Sequence, residues 1–217
     1  MNDAAPRTRR IDPERRAEIG RERKARTRAH ILAVTFNIYG REGGLHCRVE
    51  EVCAAAGITR QTFYNHFNGM DELREALTWE VAHDFLAAVT GALATMPDAA
   101  QRTAAAIRYF LQRGRLDPVW AWSIVNLSAG GVVFGAETFA QAGQTVIEGM
   151  ASGVFTVADE RIGRDLVLGA TLSGLYTQLR EPTTDDYPAG VAHAVLVGLG
   201  CATDVAVAFA RTDPPPL

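Results

Sequence analysis

The stretch VEEVCAAAGITRQTFYNHF, residues 49–67, constrains this chain more than any other. A helix-turn-helix needs a short first helix, a small residue where the two helices touch, a glycine that can turn left-handed, and a second helix with one buried stripe. Here Cys53 is the small contact, Gly57 the turn, and Val52, Ala56, Ile58 and Phe63 the apolar positions. Thr59 is placed to cap the second helix through its hydroxyl. The spacing predicts a nine-residue helix from Thr59 to Phe67, with Arg60, Gln61, Thr62, Asn65 and His66 on or near its exposed side. A helix so furnished suits the major groove of DNA, where Gln or Asn pairs with adenine and Arg with guanine.

Charge is distributed to match. Residues 1–74 carry 14 Lys+Arg against 10 Asp+Glu, whereas the remainder carries 8 against 15. A basic head on an acidic body offers one end to a polyanion. Ten of the basic residues fall in the first 28 positions, so residues 1–26 form a basic arm, either disordered or a helical extension.

The rest of the chain repeats at helical spacing, with no alternating β-branched run long enough for a sheet. Asp12-Pro13-Glu14 reads as a helix start that Gly20 weakens, and a helix from about Thr27 stops at Gly43-Gly44. After the motif the pattern predicts helices near 71–95, 99–113, 118–127, 136–153, 159–180 and 188–210, with a break at Met96-Pro97-Asp98. The expected fold class is all-α: a three-helix DNA-binding domain with a helix-turn-helix (27–74), then a helical ligand-binding and dimerisation domain (75–212), about nine helices in total. A loose tail, 213–217, follows because Asp213 and three prolines cannot continue a helix.

The motif and its surroundings resemble the tetracycline-repressor family. The resemblance covers about residues 27–80. It rests on the helix Ile31 to Tyr39 ending at Gly43, the run Val52-Cys53-Ala54-Ala55-Ala56-Gly57-Ile58-Thr59, the ending Phe63-Tyr64-Asn65-His66-Phe67, and Asp71-Glu72-Leu73 beyond it. It implies that Tyr64 and His66 contact backbone phosphates. Three departures bear on mechanism. Cys47-Arg48 stand where the family usually caps the first helix with Ser or Thr, which leaves Arg48 to reach a phosphate instead. Met70 stands where Lys is frequent. Gln61 occupies a position that is often small, and so becomes a candidate base reader.

For the body, the resemblance implies a homodimer formed by the last two long helices, on a double-stranded palindromic operator, released by a small-molecule inducer. Candidate interface residues recur at helical spacing: Leu166, Ala170 and Ser173, with Ile162, Gly169 and Tyr176 on the same stripe, then Val195, Gly198, Ala202, Val205 and Phe209. A ligand cavity is expected from the aromatic cluster Tyr109, Phe110, Trp120, Trp122, Phe134 and Phe139, with Ser123, Asn126 and Gln141 as its polar contacts. An apolar, uncharged pocket points to an aromatic or otherwise hydrophobic inducer.

Other functions leave fewer traces. No Gly-rich phosphate loop after a strand, nucleophile elbow or paired-carboxylate site is visible, and Ser128-Ala-Gly-Gly131 is too short for the first, so neither an enzyme nor a cofactor is expected. A metal- or thiol-responsive sensor using His46, Cys47 and Cys53 is the alternative reading, weakened because Cys53 falls at the buried helix contact. An architectural DNA binder using the basic arm alone is a third. Three unevenly spaced cysteines and no apolar run after the N-terminal arginines point to the cytoplasm. The uncharged stretches 118–136 and 187–203 carry enough Gly, Ser, Asn, His or Pro to be buried helices rather than membrane spans.

Overall fold

A computed structural model describes residues 13–217, and in them the fold is helical, with no strand among the described residues. The order is α1 (Pro13–Tyr39), a 3-10 turn (Gly44–His46), α2 (Val49–Ala56), α3 (Arg60–Tyr64), α4 (Met70–Leu93) and α5 (Ala99–Leu116). Then follow α6 (Pro118–Ala129), α7 (Ala136–Ala151), α8 (Glu160–Arg180), α9 (Tyr187–Gly198) and α10 (Thr203–Arg211).

Two large hydrophobic centres organise these helices, with a third, smaller one where Val89 and Leu93 of α4 meet Ala105 and Tyr109 of α5. The head packs Ile31, Leu32 and Tyr39 of α1, Val52 of α2, Phe63 and Phe67, and Leu73 and Leu77 of α4 around one core. In the body α5 runs through the middle, against α6 to α10. Asp98 starts it by accepting from the amides of Ala100 at 2.7 Å and Gln101 at 3.3 Å, as the Pro97-Asp98 break predicts.

A single turn of α6 ties the two centres together. Leu127 enters the head core, and its neighbour Asn126 is buried with its amide donating to the carbonyls of Tyr39 at 2.7 Å and Arg41 at 2.9 Å. Those carbonyls lie at the end of α1, where helical partners run out, and Asn126 completes them.

Three sequence expectations change, and one pair of alternatives is decided. Residues 13–26 take the form of a helical extension: α1 is continuous through Gly20, where open space surrounds the glycine. The first twelve residues of the expected arm lie outside the described residues. The second helix of the motif has five α-helical residues rather than nine, the chain closing in a tighter turn as the His66 amide donates to the Phe63 carbonyl three residues back at 2.9 Å. The last helix is cut in two because the Leu199 carbonyl is taken by the amides of Thr156 and Val157 at 2.9 and 3.1 Å, and Gly200 turns left-handed at φ 78. The tail is not loose: buried Arg108 donates to the Thr212 carbonyl and the Asp213 carboxylate, and the Tyr109 hydroxyl donates to the Pro215 carbonyl at 2.6 Å.

Candidate nucleic-acid interface and ligand cavity

The head is built around Gly57. At φ 63 and ψ 34 it lets the Ile58 amide return to the Cys53 carbonyl at 3.0 Å, so α2 stops and the chain reverses. Thr59 then opens α3, its hydroxyl accepting from the Thr62 amide at 3.1 Å. Phe63 is fully buried and Cys53 is buried in the same core, which turns the opposite side of α3 outward. Thr59, Arg60, Gln61, Tyr64 and Asn65 are exposed or half-buried there, as are Thr62 and His66.

These groups are lightly engaged. Gln61 donates to the Asn65 Oδ1 at 3.2 Å and Arg60 pairs with Glu50 at 3.0 Å, both in solvent. Arg48 precedes α2 in extended backbone, is exposed, and makes no side-chain cap. The basic part of α1 lies alongside: the Arg28 guanidinium stands 5.0 Å from the Phe67 ring centre, and His30 Nε2 is 3.2 Å from the Ala56 carbonyl. The His66 pKa falls below its ordinary value, first through burial and then through the charges of Lys24 and Arg28. Positive charge therefore concentrates beside the outward face of α3.

The body holds a partly open cavity of ≈ 60 Å³ between α4, α5, α7 and α8. Of the nine residues expected to line it, Phe110, Phe134 and Gln141 do. The others have different work. Trp120 is buried in the body core and donates to the Val81 carbonyl at 3.3 Å; Ser123 donates to the Trp120 carbonyl at 2.7 Å. Asn126 holds the head, and Tyr109 holds the tail. Trp122 meets Tyr176 edge-on at 6.0 Å, and Phe139 lies under the Arg164 guanidinium at 3.9 Å.

The cavity's polar wall is instead a set of threonines, among them Thr103, Thr138, Thr145 and Thr171, together with Arg102, whose guanidinium is paired with Glu148. Thr145 and Thr171 spend their hydroxyls on carbonyls one turn back, whereas the Thr138 Oγ1 is buried without a partner. On α7 the lining residues Thr138, Gln141, Ala142 and Thr145 follow the i, i+3, i+4, i+7 spacing of one helix face. A stripe of small polar residues at that spacing was the available sequence signal.

Residues 31–77 match the family model described as bacterial regulatory proteins, tetR family, and residues 98–211 match the tetracyclin repressor-like C-terminal domain. The chain belongs to the tetracycline-repressor (TetR) family. It is thus a DNA-binding transcriptional regulator with a ligand-binding type of C-terminal body. Among solved structures it resembles RolR in complex with the ligand resorcinol, at TM-score 0.72 and 21% identity, over 90% of this chain and 98% of that one. RolR without ligand aligns at TM-score 0.67 and 21% identity over 86% and 98%. The fatty acid degradation regulator FadR from Bacillus halodurans follows at 0.58 and 16% over 79% and 98%. At such identities the likeness establishes the shared TetR fold. No functionally curated protein matches the chain.

In this TetR-family fold α8 and α9 leave an apolar face uncovered. On α8, Ile162, Gly169, Ser173 and Tyr176 are exposed and Leu166 and Ala170 half-buried; on α9, Ala194, Val197 and Gly198 are exposed. Val195, expected on the same surface, is 1% exposed and belongs to the subunit's own core. Ala202 sits at the break between α9 and α10, and Val205 and Phe209 pack partly against the body core. The sensor alternative finds no support: burial pushes the Cys47 thiol up to about 11 and raises that of Cys53, so neither supplies a thiolate at neutral pH. Among the described residues no group of three or more His, Cys, Asp or Glu converges, and no helix is long and apolar enough to cross a membrane.

Proposed function

We propose that this TetR-family regulator is a cytoplasmic, non-enzymatic homodimeric repressor, released from a palindromic operator by a small hydrophobic ligand, without a cofactor. The observation that carries the reading is the outward face of α3, where the side chains of Gln61 and Asn65 bond to each other beside a basic α1. Direct readout falls to Arg60, Gln61 and Asn65. Arg48, Thr59, Thr62, Tyr64 and His66 position the head on phosphates.

One such head reads too few bases to be selective, so two act together, joined through the exposed stripes of α8 and α9. The head runs to about residue 74 and the body from 75 to 212, with α4 as the rod between them. The aromatic nature of the ligand is supported by the Phe110 and Phe134 rings at the cavity and, in a relative of the same fold, by resorcinol as the ligand of RolR. A cavity of ≈ 60 Å³ is smaller than the roughly 150 Å³ that admits a benzene ring, so binding must displace its walls. α4 is one of those walls and leads straight from α3. A ligand that favours the expanded body thereby lowers operator affinity.

Enrichment of bound duplexes from random DNA, followed by sedimentation of the free protein, tests this. An inverted repeat and a dimer at micromolar concentration are expected; a single half-site bound by a monomer would contradict it.

A further inference from the structure

The cavity between α4, α5, α7 and α8 has a neighbour. Leu86 of α4 and Phe134 of the α6–α7 loop line both it and a cleft of ≈ 550 Å³ at the surface. Phe134 is the partition: it is 3% exposed, and its ring meets that of Phe110 edge-on at 4.9 Å. Among the described residues it is also the only non-glycine residue with positive φ, at 59°. A bulky side chain in that region is strained, and such strain persists only where the surroundings enforce it. Here the enforcing contacts are the burial of the ring against Phe110 in the body core and one hydrogen bond on the amide. Gly130, Gly131 and Gly135 flank the residue, and its amide is held by one side chain, the Ser128 hydroxyl at 3.1 Å.

The cleft has its own chemistry. Asp71, Glu75, Trp79 and His83 form one face of α4 at four-residue spacing, and Glu137 of α7 lines the same cleft. Trp79 is 60% exposed and stacks on His83 with centroids 4.4 Å apart. Arg74 also lines the cleft and is paired with Asp71, which leaves Glu75 and Glu137 as its two carboxylates without an ion pair among the described residues. An aromatic face beside two unpaired carboxylates attracts an organic cation.

We propose that cavity and cleft are two halves of one ligand site divided by Phe134, and that the ligand is an amphipathic amine with a ring-bearing body for the inner half and an ammonium head for the outer. The proposal rests on the reading that the inner cavity binds ligand. Swinging the Phe134 ring aside joins the two spaces, which supplies the room that the inner cavity lacks. Because α4 lines both halves, the occupant lies along the helix that follows α3.

Three probes with the same phenyl body test the proposal on the full-length protein by calorimetry: 4-phenylbutylamine, 4-phenylbutanol and 5-phenylpentanoate. The amine is expected to bind about tenfold more tightly than the alcohol, the scale of a cation–π contact joined to an ion pair, and the carboxylate most weakly. The surface variant Glu75→Gln/Glu137→Gln removes the advantage of the amine. Phe134→Gly, which removes ring and strain together, speeds binding of the amine and melts higher than Phe134→Ala, which keeps the strained backbone. Equal affinities for the three probes, or an order unaffected by the Gln variant, would overturn the proposal. Ala106→Leu, which fills the inner cavity, separates the two readings. If it abolishes amine binding while the Gln and Gly variants change nothing, the cavity stands and the divided site falls. If binding survives it undiminished, the cavity reading falls with the proposal.

Discussion

Head and body handle polar groups in opposite ways. In the head, Gln61 and Asn65 are exposed and bonded to each other, and Arg48 to no cap, so their hydrogen-bonding capacity is left for a partner. In the body, Thr145 and Thr171 return their hydroxyls to their own helices, Ser123 to the Trp120 carbonyl, and Arg108 donates to the tail. The head is complete only on a polar surface. The body is nearly closed on itself, and two of the places where it is not closed, the Thr138 hydroxyl and the strained Phe134, stand at its cavity. The proposed recognition by the first is preformed, whereas that proposed for the second requires movement.

That contrast can be broken at several points. Removing residues 13–26, which carry six Arg or Lys, should have the largest effect: the salt slope of DNA binding falls by about 0.9 for every phosphate left unneutralised, and several such phosphates weaken binding more than tenfold. Titrations over a range of salt check this; an unchanged slope would mean that this part of α1 never meets DNA. Asn126→Ala strikes the tie between the regions. With the Tyr39 carbonyl deprived of its side-chain donor, denaturant unfolding should show a decrease of roughly 1–3 kcal/mol, and ligand should no longer shift operator affinity. Retained coupling in that variant would place communication elsewhere.

Gln61→Ala sharpens the comparison within the head. It should cost roughly 1–3 kcal/mol for the preferred base and flatten discrimination at that position. Operator-variant curves that all shift in parallel would instead make Gln61 a positioning residue.

The smallest effect is expected from pH. His66 titrates below its ordinary 6.5 because of burial and because Lys24 and Arg28 are near. The unfolded chain therefore takes up the proton first, so the folded head loses stability as pH falls below 6.5. Phosphates neutralise those neighbours, so the bound histidine protonates more readily and operator affinity rises modestly over the same fall in pH. His66→Gln should abolish that dependence, and a slope that survives the substitution would assign it to another group.

The same contrast explains how much of the molecule is legible in its sequence. Turn, cap and buried stripe of the head lie within 19 consecutive residues, so local rules place Gly57, Thr59 and Phe63 correctly. The cavity draws on four helices from residue 86 to 171, and no local pattern says which aromatics face each other across it. Asn126 reads as a ligand contact because a buried amide demands partners; those partners are carbonyls 85 and 87 residues earlier. The division of the last helix is hidden for a similar reason, since it depends on Thr156 and Val157 claiming the Leu199 carbonyl. The tail illustrates the limit of composition. Three prolines forbid a helix, but nothing in them forbids Arg108 and Tyr109 from holding an extended segment.

The most direct test of the whole account is to recover, from random duplex DNA, the sequences this protein retains at moderate salt against excess competitor. Two inverted half-sites with centres about one helical turn apart are predicted, each losing its preferred base with Gln61→Ala. Retention of no sequence above the competitor would contradict the assignment of α3 as a reading helix.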